Sequence, residues 1–135
     1  MPLTQEELGR ILRSAKTIAV VGLSNKPDRP SYDVAGYLQE AGYRIIPVNP
    51  TIKEALGEKA YASLRDIKEK IDVVQIFRRP EEVPAVVEDA IAVGAKVVWM
   101  QPGAENEDAA ARAEAAGLRV VVGACMRVVH QNLRH

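Results

Sequence analysis

The densest set of chemically useful side chains follows a short apolar run, Thr17 to Val21, and reads Gly22, Leu23, Ser24, Asn25, Lys26, Pro27, Asp28, Arg29, Pro30 and Ser31. Glycine at 22 permits a tight turn. The hydroxyl at 24 can donate to phosphate, and a helix starting near Ser31 offers free N–H groups to an anion. Two further clusters also end apolar runs. Val48, Asn49, Pro50 and Lys53 come at and after the end of YRIIPV, while Phe77, Arg78 and Arg79 close DVVQIF. Adjacent arginines suit forked contacts to phosphate oxygens. Gln101 and Gly103 follow KVVWM, where a glycine lets a ligand approach the backbone. Each cluster also has a plainer reading: a capped polar loop, an Asn-Pro turn, solvated arginines, a simple turn.

The same residues weigh against several chemistries. The dinucleotide fingerprint G-x-G-x-x-G is absent, with Ser24 standing where its second glycine would be, and so is the P-loop G-x-x-x-x-G-K-[ST]. After the second run there is no acid before Glu54 to hold ribose hydroxyls, and Lys53 lies close by. That pattern favours a ligand with phosphate on its ribose over NAD. Ser24 is outside any G-x-S-x-G elbow. His130 and His135 lack metal-ligand spacing, and the lone Cys125 reads as a small buried residue. No catalytic set is evident.

The elements that must position these clusters follow from periodicity. Thr4 with Glu7 forms a capping box for a helix ending near Ser14. Apolar residues Val34, Tyr37, Leu38 and Ala41 share one face of a helix capped by Ser31 and stopped at Gly42. Ser63 caps an expected helix burying Leu64, Ile67 and Ile71. Pro80 opens a helix whose stripe is Val83, Val86, Val87, Ala90 and Ile91, and Asn106 caps an alanine-rich one closed by Gly117. Strands are expected over 17–21, 43–48, 72–77, 96–100 and 118–122, with a last helix over 126–133. Three times a glycine, any residue and a basic residue precede a strand, at Gly42, Gly94 and Gly117, which reads as helix C-caps with cations at the negative dipole end. Alternating helices and near-continuous apolar strands imply an α/β fold, a Rossmann-like doubly wound five-stranded parallel sheet with helices on both faces. The expected strand order is 3-2-1-4-5, and ligands of such sheets bind beyond the carboxyl ends of the strands.

The chain has 135 residues, 47% hydrophobic and 27% charged, with 18 Lys+Arg against 18 Asp+Glu. At roughly 150 residues per domain it reads as one domain over 1–135, with a terminal helix in 1–14 and a core over 15–134. Net neutrality weighs against a nucleic-acid partner, and no apolar run approaches the ~18 residues that span a membrane. The polar start MPLTQEELGR lacks the pattern of a secretory leader, so a cytoplasmic protein is expected.

The segments GLSNKPDRPSYDVAGYL, GYRIIPVNP, DVVQIFRRPEEVP and KVVWMQPGAENEDAAARAEAAGLRVV resemble the small stand-alone CoA-binding proteins of bacteria and archaea. These are similar to the CoA-binding N-terminal domain of succinyl-CoA synthetase α subunits. The resemblance spans about 15–134. It implies coenzyme A bound over the strand ends, with Gly22, Ser24, Lys26 and Ser31 at the phosphates. Asn49, Pro50 and Lys53 would flank the adenosine, and Phe77 with Arg78 the other side. It implies a small-molecule partner, CoA or acyl-CoA, and no reaction. Lys53, with Arg78 or Arg79, is expected near the 3′-phosphate. An NAD(P)-binding oxidoreductase or redox-sensor domain is the alternative. The pattern departs after the fifth strand, where relatives carry Asp-Arg-Cys and an acid before the histidine. Here Gly123-Ala124-Cys125 and Val129 stand instead.

Overall fold

A computed structural model describes residues 3–133; Met1, Pro2, the expected core limit at 134 and His135 lie outside them. The capping box forms as expected, Thr4 Oγ1 accepting from Glu7 N–H and Glu7 Oε1 from Thr4 N–H, and opens α1 (Gln5–Ser14). The chain continues through β1 (Thr17–Val21), α2 (Pro30–Glu40), β2 (Arg44–Val48) and a small hairpin, β3 (Glu54–Ala55) with β4 (Glu58–Lys59). Then come β5 (Val73–Ile76), α3 (Val83–Ala92), β6 (Val97–Met100), α4 (Glu107–Ala115), β7 (Arg119–Val122) and α5 (Met126–Gln131). Expected strand limits hold to within one residue. Gly42, Gly94 and Gly117 all take positive φ behind their helices.

Five parallel strands pair in the order β2-β1-β5-β6-β7. In chain order this is 2-1-3-4-5, so the expected order 3-2-1-4-5 is corrected: the third long strand lies beside the first, not outside the second. The cause is visible in the sequence of β2. Pro47 has no N–H for a neighbour on its outer side, which confines such a strand to an edge. That side is closed by Tyr61, whose N–H donates to Pro47 O at 2.9 Å and whose carbonyl accepts from Asn49 N–H at 2.8 Å. The reversal of strand order therefore falls between β1 and β5, where the crevice of an open α/β sheet belongs.

The expected helix after Ser63 is also corrected. Ser63 Oγ does accept from Arg65 N–H, but the turn is a single 3-10 turn, Leu64–Asp66, before the chain extends at Ile67. Glu69 is drawn outward to Arg44, which also holds Glu58. Leu64, Ile67 and Ile71 are nevertheless buried.

Alternate strand residues feed two apolar layers. Ala19, Val21, Ile46, Val74, Ile76, Val98 and Met100 face α3, α4 and the 3-10 turn. Ile18, Val20, Ile45, Val73, Val97 and Trp99 face α1, α2 and α5. Trp99 is fully buried and donates through Nε1 to Ala124 O at 2.7 Å. No helix among the described residues is long and apolar enough to cross a membrane.

At the amino end of the sheet, Asp72 ties the two strands that flank the switch point. Its Oδ2 accepts from the N–H groups of Lys16 at 2.9 Å and Thr17 at 3.0 Å, and Lys96 Nζ lies 3.8 Å from Oδ1. Burial pushes this carboxyl up. The two backbone N–H groups and the nearby lysines outweigh that, leaving it below the ordinary 3.8. A lowered folded-state value means stability present above 3.8 and lost as pH falls through the folded value. Asp72→Ala should cost about 1.5–3 kcal/mol at neutral pH, with the gap to wild type closing as pH drops well below 3.8. Urea melts across pH measure this, and a pH-independent gap would refute it.

Candidate functional site

The carboxyl ends of β1 and β5 meet without room for a side chain. Gly22 takes φ +90°, donates its N–H to Val48 O at 2.8 Å, and a Cβ built on it would stand 2.1 Å from Phe77 O. Only glycine fits that contact. Beyond it opens a cleft of about 850 Å³, within the range of cofactor sites.

Four loops line it. After β1 come Gly22, Ser24, Asn25, Lys26, Arg29, Pro30 and Ser31; after β2, Asn49, Thr51 and Ile52. The wall after β5 is Phe77, Arg78, Arg79, Pro80 and Glu82, and the segment after β6 adds Pro102, Gly103 and Ala104. The sequence-expected residues Gly22, Ser24, Asn25, Lys26, Arg29, Ser31, Asn49, Phe77, Arg78, Arg79 and Gly103 are thus brought together.

Five others are not. Leu23 is fully buried under α2, and Val48 faces the opposite apolar layer. Gln101 is buried, its Oε1 accepting from Gln75 Nε2 at 3.1 Å and from Met126 N–H at 2.8 Å, so it holds the start of α5 rather than facing the cleft. Pro50 and Lys53 are exposed outside the lining, because Lys53 enters the β3–β4 hairpin, its carbonyl accepting from Ala60 N–H. Lining residues that sequence reasoning passed over include Pro30, Thr51, Ile52, Pro80 and Glu82. Their only signal was adjacency to the clusters already singled out.

Ser31 does not cap α2, as the sequence suggested. Arg29 occupies the cap with no side-chain bond, Pro30 opens the helix, and Ser31 lies inside it. Its Oγ instead accepts from Ser24 N–H at 3.0 Å, while Ser24 Oγ accepts from Lys26 N–H at 3.0 Å. The loop is folded back onto the helix start, and the first turn of α2 faces the cleft without a side-chain oxygen at its cap.

The lining is electropositive. Lys26, Arg29, Arg78 and Arg79 stand against one carboxylate, Glu82, which lies 4.0 Å from Arg78 Nη1 and accepts from Arg79 N–H at 3.3 Å. Among the described residues no group of histidine, cysteine and acidic side chains could hold a metal.

Residues 16–131 match the family described as CoA binding domain. This chain belongs to that family. Among its relatives is YneT of Bacillus subtilis, 47% identical over 127 residues covering 94% of each chain. A solved protein from Pyrococcus horikoshii OT3 is 45% identical, with TM-score 0.95, covering 98% of this chain and 96% of that one. The chain is also 31% identical over 83 residues to an ADP-forming acetate–CoA ligase of Archaeoglobus fulgidus. That match takes in 60% of this chain but only 12% of the ligase.

In this family member the segment after β7 is tied back to β6. Gly123 N–H donates to Met100 O, Trp99 holds Ala124, and His130 Nδ1 lies 2.7 Å from Tyr37 Oη. Cys125 is half-buried against the α1–α2–α5 layer.

Gly22→Ala should lower stability by roughly 2–4 kcal/mol, from left-handed strain plus the clash with Phe77 O. A chemical denaturation midpoint equal to wild type would show that β1 and β5 do not converge so tightly.

Proposed function

We propose that this chain is a coenzyme A-binding module, a carrier or sensor of CoA or acyl-CoA with no chemistry of its own. One observation carries the reading: a CoA binding domain whose cleft, at the β1–β5 reversal, is lined by four cations and one carboxylate. CoA carries a pyrophosphate and a ribose 3′-phosphate. The start of α2 takes part of that charge, as helix N-termini do. Lys26 and Arg29 on one wall and Arg78 and Arg79 on the other supply the remainder. The expected pairing of Lys53 with the 3′-phosphate passes to these four, since Lys53 is outside the lining.

NAD is a poorer fit. It lacks the third phosphate, and no carboxylate closes β2 to receive its ribose hydroxyls. Ligase activity is not carried over either, because the match takes in only 12% of the ligase and no nucleotide-activating site is evident here.

Calorimetry with CoA, dephospho-CoA and NAD tests the reading. CoA should bind tightest, and Arg79→Ala should weaken CoA about tenfold or more while narrowing its advantage over dephospho-CoA. Glu82→Gln, which keeps an acceptor for Arg79 N–H, should tighten CoA several-fold by removing a like charge. Stronger binding of NAD than of CoA would overturn the proposal. So would formation of acetyl-CoA from ATP, CoA and acetate, for its non-catalytic part.

A further inference from the structure

We infer that Asn49 is a positioning residue that sets the width of the cleft, its carboxamide clamping the loop after β1 to the loop after β2. Asn49 Nδ2 donates to Leu23 O at 3.1 Å. Its Oδ1 accepts from Thr51 N–H at 2.9 Å and from Thr51 Oγ1 at 2.7 Å. Both lone pairs of the amide oxygen and one of its two hydrogens are thus used within the protein. The last backbone rung between these strands is Gly22 N–H to Val48 O. Asn49 continues the ladder one step further with a side chain, past the point where the strands part.

Leu23 makes the clamp effective. Its side chain is fully buried under α2, so the carbonyl that Asn49 grips belongs to an anchored residue at the start of the cationic loop. Ser24 and Lys26 follow directly, held in turn by Ser31 Oγ and Ser24 Oγ. A carboxylate at 49 would keep the bonds to Thr51 but set oxygen against the Leu23 oxygen. The position where a dinucleotide fold presents an acid to ribose is here committed to holding two loops together. Supporting groups of this kind act by sparing the ligand the cost of ordering its own site.

The ligand arm of the test rests on the CoA reading; the exchange arm does not. Amide hydrogen exchange is followed on the ligand-free protein, wild type against Asn49→Asp and Asn49→Ala, with CoA titrated into wild type and Asn49→Ala. Aspartate keeps the acceptor for both Thr51 bonds but replaces the donor to Leu23 with a charged oxygen. The clamp predicts that Thr51 N–H stays protected in Asn49→Asp. The Ser24 and Lys26 amides, which never bond to Asn49, should exchange about tenfold faster in both variants, and CoA should bind Asn49→Ala about tenfold more weakly. Unchanged exchange at Ser24 and Lys26 would overturn the clamp whatever CoA does. Acceleration spread equally to the strand amides of Val20 and Val74 would mark general destabilisation and overturn it as well. The expected exchange pattern in a protein that binds no CoA would uphold the clamp and reject the ligand.

Discussion

A missing hydrogen decides the topology. Pro47 cannot donate on the outer side of β2, so that strand ends the sheet, and Tyr61 closes the edge with the two bonds that remain. The third long strand must then join the sheet across β1. Once β5 lies beside β1, their carboxyl ends converge at Gly22 and Phe77, and the loops they carry diverge to opposite walls of one cleft. Every later property of the site depends on that adjacency. With β5 outside β2, Arg78 and Arg79 would stand a strand further from Lys26 and Arg29.

A chain with zero net charge can still offer a polyanion a positive site, because its charges are unevenly spent. Away from the cleft Arg10, Arg44, Arg65, Arg112, Arg119 and Arg127 are each held by a carboxylate. The bond to Glu69 raises the Arg44 guanidinium further above its ordinary value, with Glu58 adding to it, and Glu88 does the same for Arg112. Those surface pairs contribute little to stability individually. Their consequence here is distributional: those carboxylates are occupied away from the cleft, whose lining residues include four cations and one carboxylate, Glu82. Pro30, Ile52 and Phe77 add apolar surface to that lining, and low-dielectric walls focus a field of one sign.

Much of this was legible from residue order. Apolar runs marked every long strand, and Thr4, Asn106 and the three glycine stops marked helix ends, because capping is a local interaction. The loops that line the cleft were also readable, since position at a strand's carboxyl end follows from the fold class. Strand order is not carried by the apolar runs; it is carried by Pro47, which belongs to such a run by hydropathy but lacks the donor an inner strand needs. Ser31 is a residue type that caps helices, but its bond to Ser24 depends on how the loop folds back. Leu23, Gln101 and Lys53 show the same limit. Sequence places a residue in a loop, whereas packing under α2, a bond to Met126 or a hairpin decides where its side chain goes. The helix expected after Ser63 is a single 3-10 turn because the chain extends at Ile67, and the burial of Ile67 and Ile71 in the apolar layer is a tertiary contact that local spacing does not show.

Coenzyme A, on the function proposed here, occupies the cleft between the ends of β1 and β5. Two-dimensional NMR of the labelled protein during a CoA titration tests it most directly. Saturable shifts are expected to concentrate at 22–31, 49–52, 77–82 and 102–104, with the amino-end residues around Asp72, Lys96 and Arg119 unmoved. Saturable shifts centred on that opposite end, or none at millimolar CoA, would contradict it.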